Sequence, residues 1–266
     1  MDIPADVQRQ ALHPFRELLL PVGWKRVDGE HVSVCIHGWP VAQVVEPINV
    51  GPTDIDDAVA EAREIAHVEG KDRLVWWVEP AQAWLGPELE QRGLPNRETP
   101  GFEAVENAMA LVEPPSGDTP DDVSAGVVES IDDLAASDRV VVEAFGAEPE
   151  SAVALDGSRV ERYAEYTTPG NSALQFIASL DGEVVGTAAA VLGNAGVNLF
   201  AAGVLPHARG RGVYRALIRA RWDFAVERGT PALTVQAGQM SRPVLETAGF
   251  SFIAAARMYA DDLVSR

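Results

Sequence analysis

Two apolar, strand-like runs, 173–180 and 183–192, flank Asp181-Gly182. A two-residue Asp-Gly loop whose glycine accepts positive φ predicts a hairpin there. A further run over 197–205 ends at Pro206, and the period then changes. Val213, Leu217, Ala220 and Phe224 step by four, three and four, which places them on one face of a helix. Gly229, with Pro231 just beyond, supplies the stop. Residues 233–237 read as a buried strand, 241–248 as a short helix ended by Gly249, and 250–259 as a last strand. Upstream, Ser130-Ile131-Asp132-Asp133 sets a capping hydroxyl and first-turn acids before apolar positions, predicting a helix to Phe145. An amphipathic stretch over 158–166 closes at Pro169-Gly170.

The N-terminal part shows a weaker version of the same order. A helix over 54–69 ends at Gly70, a strand covers 73–78, and a helix over 80–92 closes at Gly93-Leu94. Between the two blocks, Val112-Glu113-Pro114-Pro115-Ser116-Gly117-Asp118-Thr119-Pro120-Asp121-Asp122 is nearly devoid of apolar residues and reads as a linker. The expectation is two domains, 1–112 and 123–266, since 266 residues suffice for two cores.

A net charge of −19 argues against nucleic acid, whose phosphates need a surplus of Lys and Arg. An acidic surface can concentrate a cationic substrate, and it equally serves simple solubility. No apolar run approaches the ~20 residues that span a bilayer. Met1 to Asp6 lacks a basic start followed by an apolar stretch, so a cytoplasmic chain is expected, with neither membrane nor nucleic acid as partner. Cys35 is the single cysteine, and the five histidines are scattered without ligand spacing, so no metal is expected.

The chemistry concentrates after Pro206. First-turn N–H groups of a helix lack internal acceptors and sit at the positive end of its dipole, so they suit a diphosphate. Gly210 and Gly212 let the backbone approach one, while Arg209, Arg211 and Arg215 can add charge-assisted bonds. Taken alone, Arg-Gly-x-Gly is equally consistent with a glycine turn bearing solvated arginines. It is neither a dinucleotide-binding Gly-x-Gly-x-x-Gly nor a Gly-Lys-Ser/Thr phosphate loop.

The run Val204-Leu205-Pro206-His207-Ala208-Arg209-Gly210-Arg211-Gly212-Val213-Tyr214-Arg215-Ala216-Leu217 resembles the diphosphate-binding signature of GCN5-related N-acetyltransferases. The strand at 233–236, the short helix and Gly249-Phe250 are similar to the family's next motif, so the likeness covers roughly 125–266. It implies an α/β (α+β) fold with a mixed, V-shaped sheet flanked by helices, of acyl-CoA N-acyltransferase type. It also implies that acetyl-CoA, as co-substrate, lies in the opening of the V. Pantetheine would pair with Ala202, Gly203 and Val204, and the diphosphate would sit on Arg209, Gly210, Arg211, Gly212, Val213, Tyr214 and Arg215.

The implied activity is acetyl transfer to a primary amine of a small molecule or peptide by direct attack, with the Val204 N–H polarising the carbonyl. The alternative is an acyl-CoA-binding regulatory module without turnover. The sequence departs from the family pattern twice: Leu245 stands at the usual tyrosine position, and Tyr214 fills a glycine or alanine slot. Candidate catalytic groups are therefore Ser241, Glu143 and Tyr259, with Glu161, Tyr163 and Tyr166 as further ionisable groups. Capping its helix is the commoner role for Ser241, and the tyrosines are more often packing aromatics with a wet hydroxyl.

The N-terminal half reads as a degenerate copy of the same fold. Its equivalent loop, Glu46-Pro47-Ile48-Asn49-Val50-Gly51-Pro52, has no arginine, and its prolines lack N–H groups. Its expected roles are to wall the acceptor cleft or to support an oligomer such as a homodimer. Trp76, Trp77 and Trp84 can line a pocket there or pack a core.

Overall fold

The computed structural model describes residues 2–38, 41–47, 50–146 and 149–263. Ile48 and Asn49 of the N-terminal loop, and the last three residues, lie outside the described residues. The N-terminal half runs α1 (Ala5–Leu12), α2 (Pro14–Glu17), β1 (Lys25–Asp28), β2 (Val32–Ile36), β3 (Val41–Pro47), α3 (Ile55–Val68), β4 (Arg73–Val78), α4 (Leu85–Gln91) and β5 (Val105–Leu111). The C-terminal half continues with β6 (Val123–Val127), α5 (Ile131–Phe145), α6 (Pro149–Gly157), α7 (Arg159–Thr167), β7 (Ala173–Leu180), β8 (Glu183–Leu192), β9 (Val197–Val204), α8 (Val213–Glu227), β10 (Leu233–Ala237), α9 (Arg242–Ala248) and β11 (Ser251–Asp262).

Local chemistry accounts for several boundaries. Ser130 and Asp133 form a reciprocal capping box at the start of α5, and Gly146 ends it in the left-handed conformation. The β7–β8 hairpin turns on Asp181 and Gly182, with φ of 51° and 84°, as a two-residue primed turn requires. The 80–92 region is not one helix: Pro80–Gln82 forms a short 3₁₀ turn before α4 begins.

Helix ends repeat between the halves. After α3, the Lys71 N–H reaches back to Ala66 O past Gly70; after α8, the Thr230 N–H reaches Ala225 O past Gly229. After α4, the Leu94 N–H bonds Leu89 O past Gly93; after α9, the Phe250 N–H bonds Leu245 O past Gly249. Each is the six-to-one bond that closes a helix on a left-handed glycine.

The strands among the described residues form one eleven-stranded mixed sheet, in the order β1-β2-β3-β4-β11-β5-β10-β9-β8-β7-β6. Parallel pairs are β3 with β4 and β9 with β10, each connected through a helix, α3 or α8. The centre is unusual. β5, from the N-terminal half, pairs with β10, while β11, from the C-terminal half, pairs with β4, and β5 and β11 pair with each other. Each half thus contributes its last strand to the other's side of the sheet.

Two large cores result. One gathers Phe176, Leu199, Leu217, Leu233, Leu245 and Phe250 with Met109 and Leu111 from β5. The other gathers Val34, Ile55, Leu74, Trp76 and Leu89 with Tyr259 from β11. Trp76 is therefore core, whereas Trp77 donates to Gln43 Oε1 and lines a cleft, and Trp84 is 38% exposed. No helix among the described residues is long and apolar enough to cross a membrane.

Candidate active site

The site begins where β9 and β10 part. Their parallel pairing comprises Val197 with Leu233 and Asn198 with Thr234, and from Leu199 onward the strands diverge. Among the described residues, the β9 edge over 199–204 is left unpaired on that side. Opposite β8, Thr187 faces Gly203 and Ala189 faces Phe200, so Ala201 and Ala202 together face one residue. This is a β-bulge, and Ala201 adopts φ 37°, positive for a residue with a side chain. A bulge at this point turns main-chain groups into the opening. Gly203 also needs its small size: an added Cβ would stand 3.0 Å from Ala144 and 3.1 Å from the Phe145 ring, at the end of α5.

The loop after β9 leads into α8. Gly210 and Gly212 have φ of 75° and 85°, values that favour glycine, and the first turn of α8 carries no acid. Space around Gly210 is open, since an added Cβ would meet nothing within 4 Å. Val213 is buried and anchors the helix start in the core. These features fit a diphosphate: free first-turn amides, no side chain in the way and no competing carboxylate.

The arginines do more than face outward. Arg209 Nε donates to Val204 O at 3.2 Å, tying the loop to the end of β9. Arg211 pairs with Asp122 at 2.9 Å, Arg215 donates to Asp118 O at 3.1 Å, and Arg219 donates to Pro115 O at 2.8 Å. The linker is thereby strapped along α8. Arg211 and Arg215 remain exposed, so their guanidinium groups stay accessible beside the loop.

Tyr214 does not face the loop as an extra ligand. Its ring packs against the C-terminal core, and burial pushes its hydroxyl pKa up. Arg221, two turns further along α8, is fully buried; Nε donates to Leu217 O, but among the described residues Nη1 and Nη2 have no partner. Burial pulls its pKa down to about 10.

The expected catalytic groups separate. Ser241 stands at the start of α9 and donates to Gly238 O at 3.2 Å; it makes no side-chain capping bond. That places its hydroxyl beside the carboxyl end of β10. Glu143 is exposed on α5, and Glu161 is exposed on α7. Tyr163 Oη donates to Glu129 O at 2.7 Å, while burial raises the Tyr166 pKa. Tyr259 is not part of the site. It is 5% exposed within the N-terminal core, on the β11 segment that pairs with β4, and its hydroxyl blocks any side chain at Gly86. Strand exchange is the cause: the chain after Phe250 crosses to the other half. Leu245 is fully buried, so its position presents only hydrocarbon to the core.

A cleft of about 140 Å³ lies under the α1–α2 turn, lined by residues 12–16, Val44 and Val45 of β3, the end of β4, Gln236 and Ala256. His13 Nε2 and Glu79 Oε2 meet at 3.5 Å in its wall, and the hydrogen bond from His13 holds the Glu79 carboxyl below its usual range. Glu106, missed by sequence reasoning, is 8% exposed on β5, directly opposite Ala256, one of the residues that line this cleft. Its signal was faint: a lone acid at the start of an apolar run.

The N-terminal equivalent of the diphosphate loop is differently built. Asp54 stands at the N-cap position of α3 without a side-chain capping bond, Asp56 and Asp57 occupy its first turn, and Asp54 Oδ2 accepts the Gly51 N–H at 3.1 Å. Three carboxylates at that helix start repel a diphosphate.

Residues 141–250 match the family model described as the acetyltransferase (GNAT) family. A GCN5-related N-acetyltransferase from Kribbella flavida superposes with a TM-score of 0.69 at 16% identity, covering 96% of this chain and 95% of that one. One from Sphaerobacter thermophilus gives 0.60 at 17%, over 90% and 76% of the two chains. A tandem GNAT protein from the clavulanic acid biosynthesis pathway gives 0.59 at 14%, over 99% and 89%. No curated protein matches the sequence. At these identities the structural likeness speaks for the fold, and over residues 141–250 the sequence is similar to the acetyltransferase (GNAT) family.

Proposed function

We propose that the C-terminal half binds acetyl-CoA and transfers the acetyl group to a primary amine of a small molecule or peptide by direct attack. The observation that carries this reading is the junction of an unpaired β9 edge with the Gly210–Gly212 start of α8. The two features are consecutive in the chain, and together they offer a strand-like partner for an amide-bearing arm and an anion site for its diphosphate. Acetyl-CoA would bring the thioester that an amine can attack.

The chain's own groups would then act by position. The edge of Ala202, Gly203 and Val204 orients the arm, and a main-chain N–H near Val204 polarises the carbonyl. Arg209, Arg211 and Arg215 hold charge around the diphosphate, with Gly210, Gly212, Val213 and Tyr214 supplying backbone amides. Ser241, whose hydroxyl donates to Gly238 O in the structure, would turn to donate to the departing sulfur. Holding both reactants in line is worth on the order of 7–11 kcal/mol of barrier.

On this reading the chain comprises two acetyltransferase-fold halves, 1–112 and 123–266, of which the second alone keeps a cofactor site. The acids at the start of α3 and the repeated helix ends support it. A second reading, an acyl-CoA-binding regulatory module, draws support from Leu245, which offers no hydroxyl.

Calorimetric titration with acetyl-CoA tests the first step, beside a variant carrying Arg209→Ala and Gly212→Asp. Binding by the wild type and not by the variant supports the cofactor site. Thiol release that rises with added amine then favours the enzyme over the module, and absence of binding sinks both.

A further inference from the structure

The sheet brings the ends of two parallel pairs together. β4 and β10 run in opposite directions with β11 and β5 between them. Val78 is opposite Arg257, Arg257 is opposite Val105, and Ala237 is opposite Asn107. The carboxyl ends of β4 and β10 therefore reach nearly the same level of the sheet. Strand carboxyl ends at such divergences are where open α/β sheets take ligands.

Glu106 stands on β5 between those two ends. It lies directly opposite Ala256 and so shares its face, and Gln236, opposite Ala108, is on that face as well. Ala256 and Gln236 both line the cleft under the α1–α2 turn. Glu106 Oε1 accepts the Glu103 N–H at 3.3 Å, and among the described residues the carboxyl has no basic partner. Arg242 is held by Asn107 Oδ1 on the opposite face.

We propose that Glu106, carried into the site by the exchanged strand of the N-terminal half, is the proton acceptor for a primary ammonium substrate bound in this cleft. The proposal rests on the acetyltransferase reading. An ordinary carboxylate is too weak a base for an alkylammonium. Burial pushes the Glu106 carboxyl up to about 8; the Glu103 N–H opposes the rise and the Glu103 charge adds to it. The other titratable or charged groups on this side are Glu103 itself, the His13–Glu79 pair and Arg16 in the cleft lining.

The Glu106 carboxylate takes one proton from the ammonium nitrogen and later passes it to solvent. The freed lone pair forms the C–N bond as the thioester C–S bond breaks. The second nitrogen proton goes to the sulfur.

Thiol release from acetyl-CoA, with ethylamine and 1,4-diaminobutane as probe amines between about pH 6 and 10, tests this in wild type, Glu106→Gln and Glu103→Gln. Calorimetric acetyl-CoA binding runs alongside and reports folding. The wild-type rate is expected to fall below a limb near pH 8. Glu106→Gln should bind acetyl-CoA normally, lose about 100-fold in kcat and lose the limb. Glu103→Gln should move the limb to lower pH. A Glu106→Gln protein that binds acetyl-CoA and keeps both rate and limb overturns the proposal and leaves the acetyltransferase reading intact. Wild type that binds acetyl-CoA and releases no thiol with either amine also overturns it. Wild type that binds no acetyl-CoA overturns the underlying reading.

Discussion

Gln10 and Thr234, 224 residues apart, are joined by a buried 3.0 Å hydrogen bond at the apex of the V. Thr234 Oγ1 passes the contact on to Asn198 Oδ1 at 2.8 Å, and Gln10 Oε1 accepts the Ala195 N–H at 2.9 Å. Asn198 and Thr234 are the last residues paired before β9 and β10 part. A glutamine from α1 thus fixes the point from which the C-terminal opening spreads. Gln10→Ala should cost about 1–3 kcal/mol, because it strands buried polar groups. Denaturant unfolding measures the loss, and calorimetry should show weaker acetyl-CoA binding. A variant as stable as wild type would show that the contact contributes nothing.

Gly212 is constrained twice. Its φ is 85°, and an added Cβ would come within 2.7 Å of Pro120 Cδ in the linker. Gly212→Ala should destabilise by about 1–3 kcal/mol and weaken acetyl-CoA binding more than Gly210→Ala, whose Cβ enters open space. Paired melting curves and titrations decide between the two positions.

Glu106 gives the fold a pH dependence. Its carboxyl rises from 4.5 in the unfolded chain to about 8 when folded. A raised folded value means that stability is fully present below pH 4.5 and declines as pH rises toward 8, by at most about 1.4 kcal/mol for each pH step of one across that window. Glu106→Gln should therefore be more stable than wild type at pH 8, with the difference shrinking toward pH 5. Urea midpoints at the two pH values measure it, and an equal difference at both would contradict the assignment.

Arg221 is a buried cation with two nitrogens unpartnered among the described residues. A buried cation without partners for its charge costs free energy that a hydrocarbon of similar length does not incur. Arg221→Met should raise the melting temperature. A fall would mean that the guanidinium has a partner when the protein is in solution.

Much of the C-terminal half was readable in the chain. β7, β8 and β10 follow the apolar runs to the residue, and α5 starts at its Ser130 capping box, because caps, turns and short-range periodicity are local signals. The Arg209 to Arg215 loop was equally legible, since its glycines carry the φ values that the backbone needs. β1, β2 and β3 were not anticipated as strands, nor were α6 and β6. The β2 residues Val32–Ile36 are all buried, so no alternation marks them, and β3 carries weak punctuation. Partner choice was the largest gap. Nothing local in Val105–Leu111 or Ser251–Asp262 says which half each strand joins, and that choice removes Tyr259 from the site and brings Glu106 toward it.

The crossing of β5 and β11 also governs how this chain can come apart. Neither half can lose its last strand without opening the other's core, since Met109 and Leu111 belong to one and Tyr259 to the other. Unfolding is then a single cooperative event across the molecule, and amide protons at its centre exchange only through that event. On the proposed reading, a half without a cofactor site of its own is kept by mechanical necessity, because its removal would unravel the half that carries one.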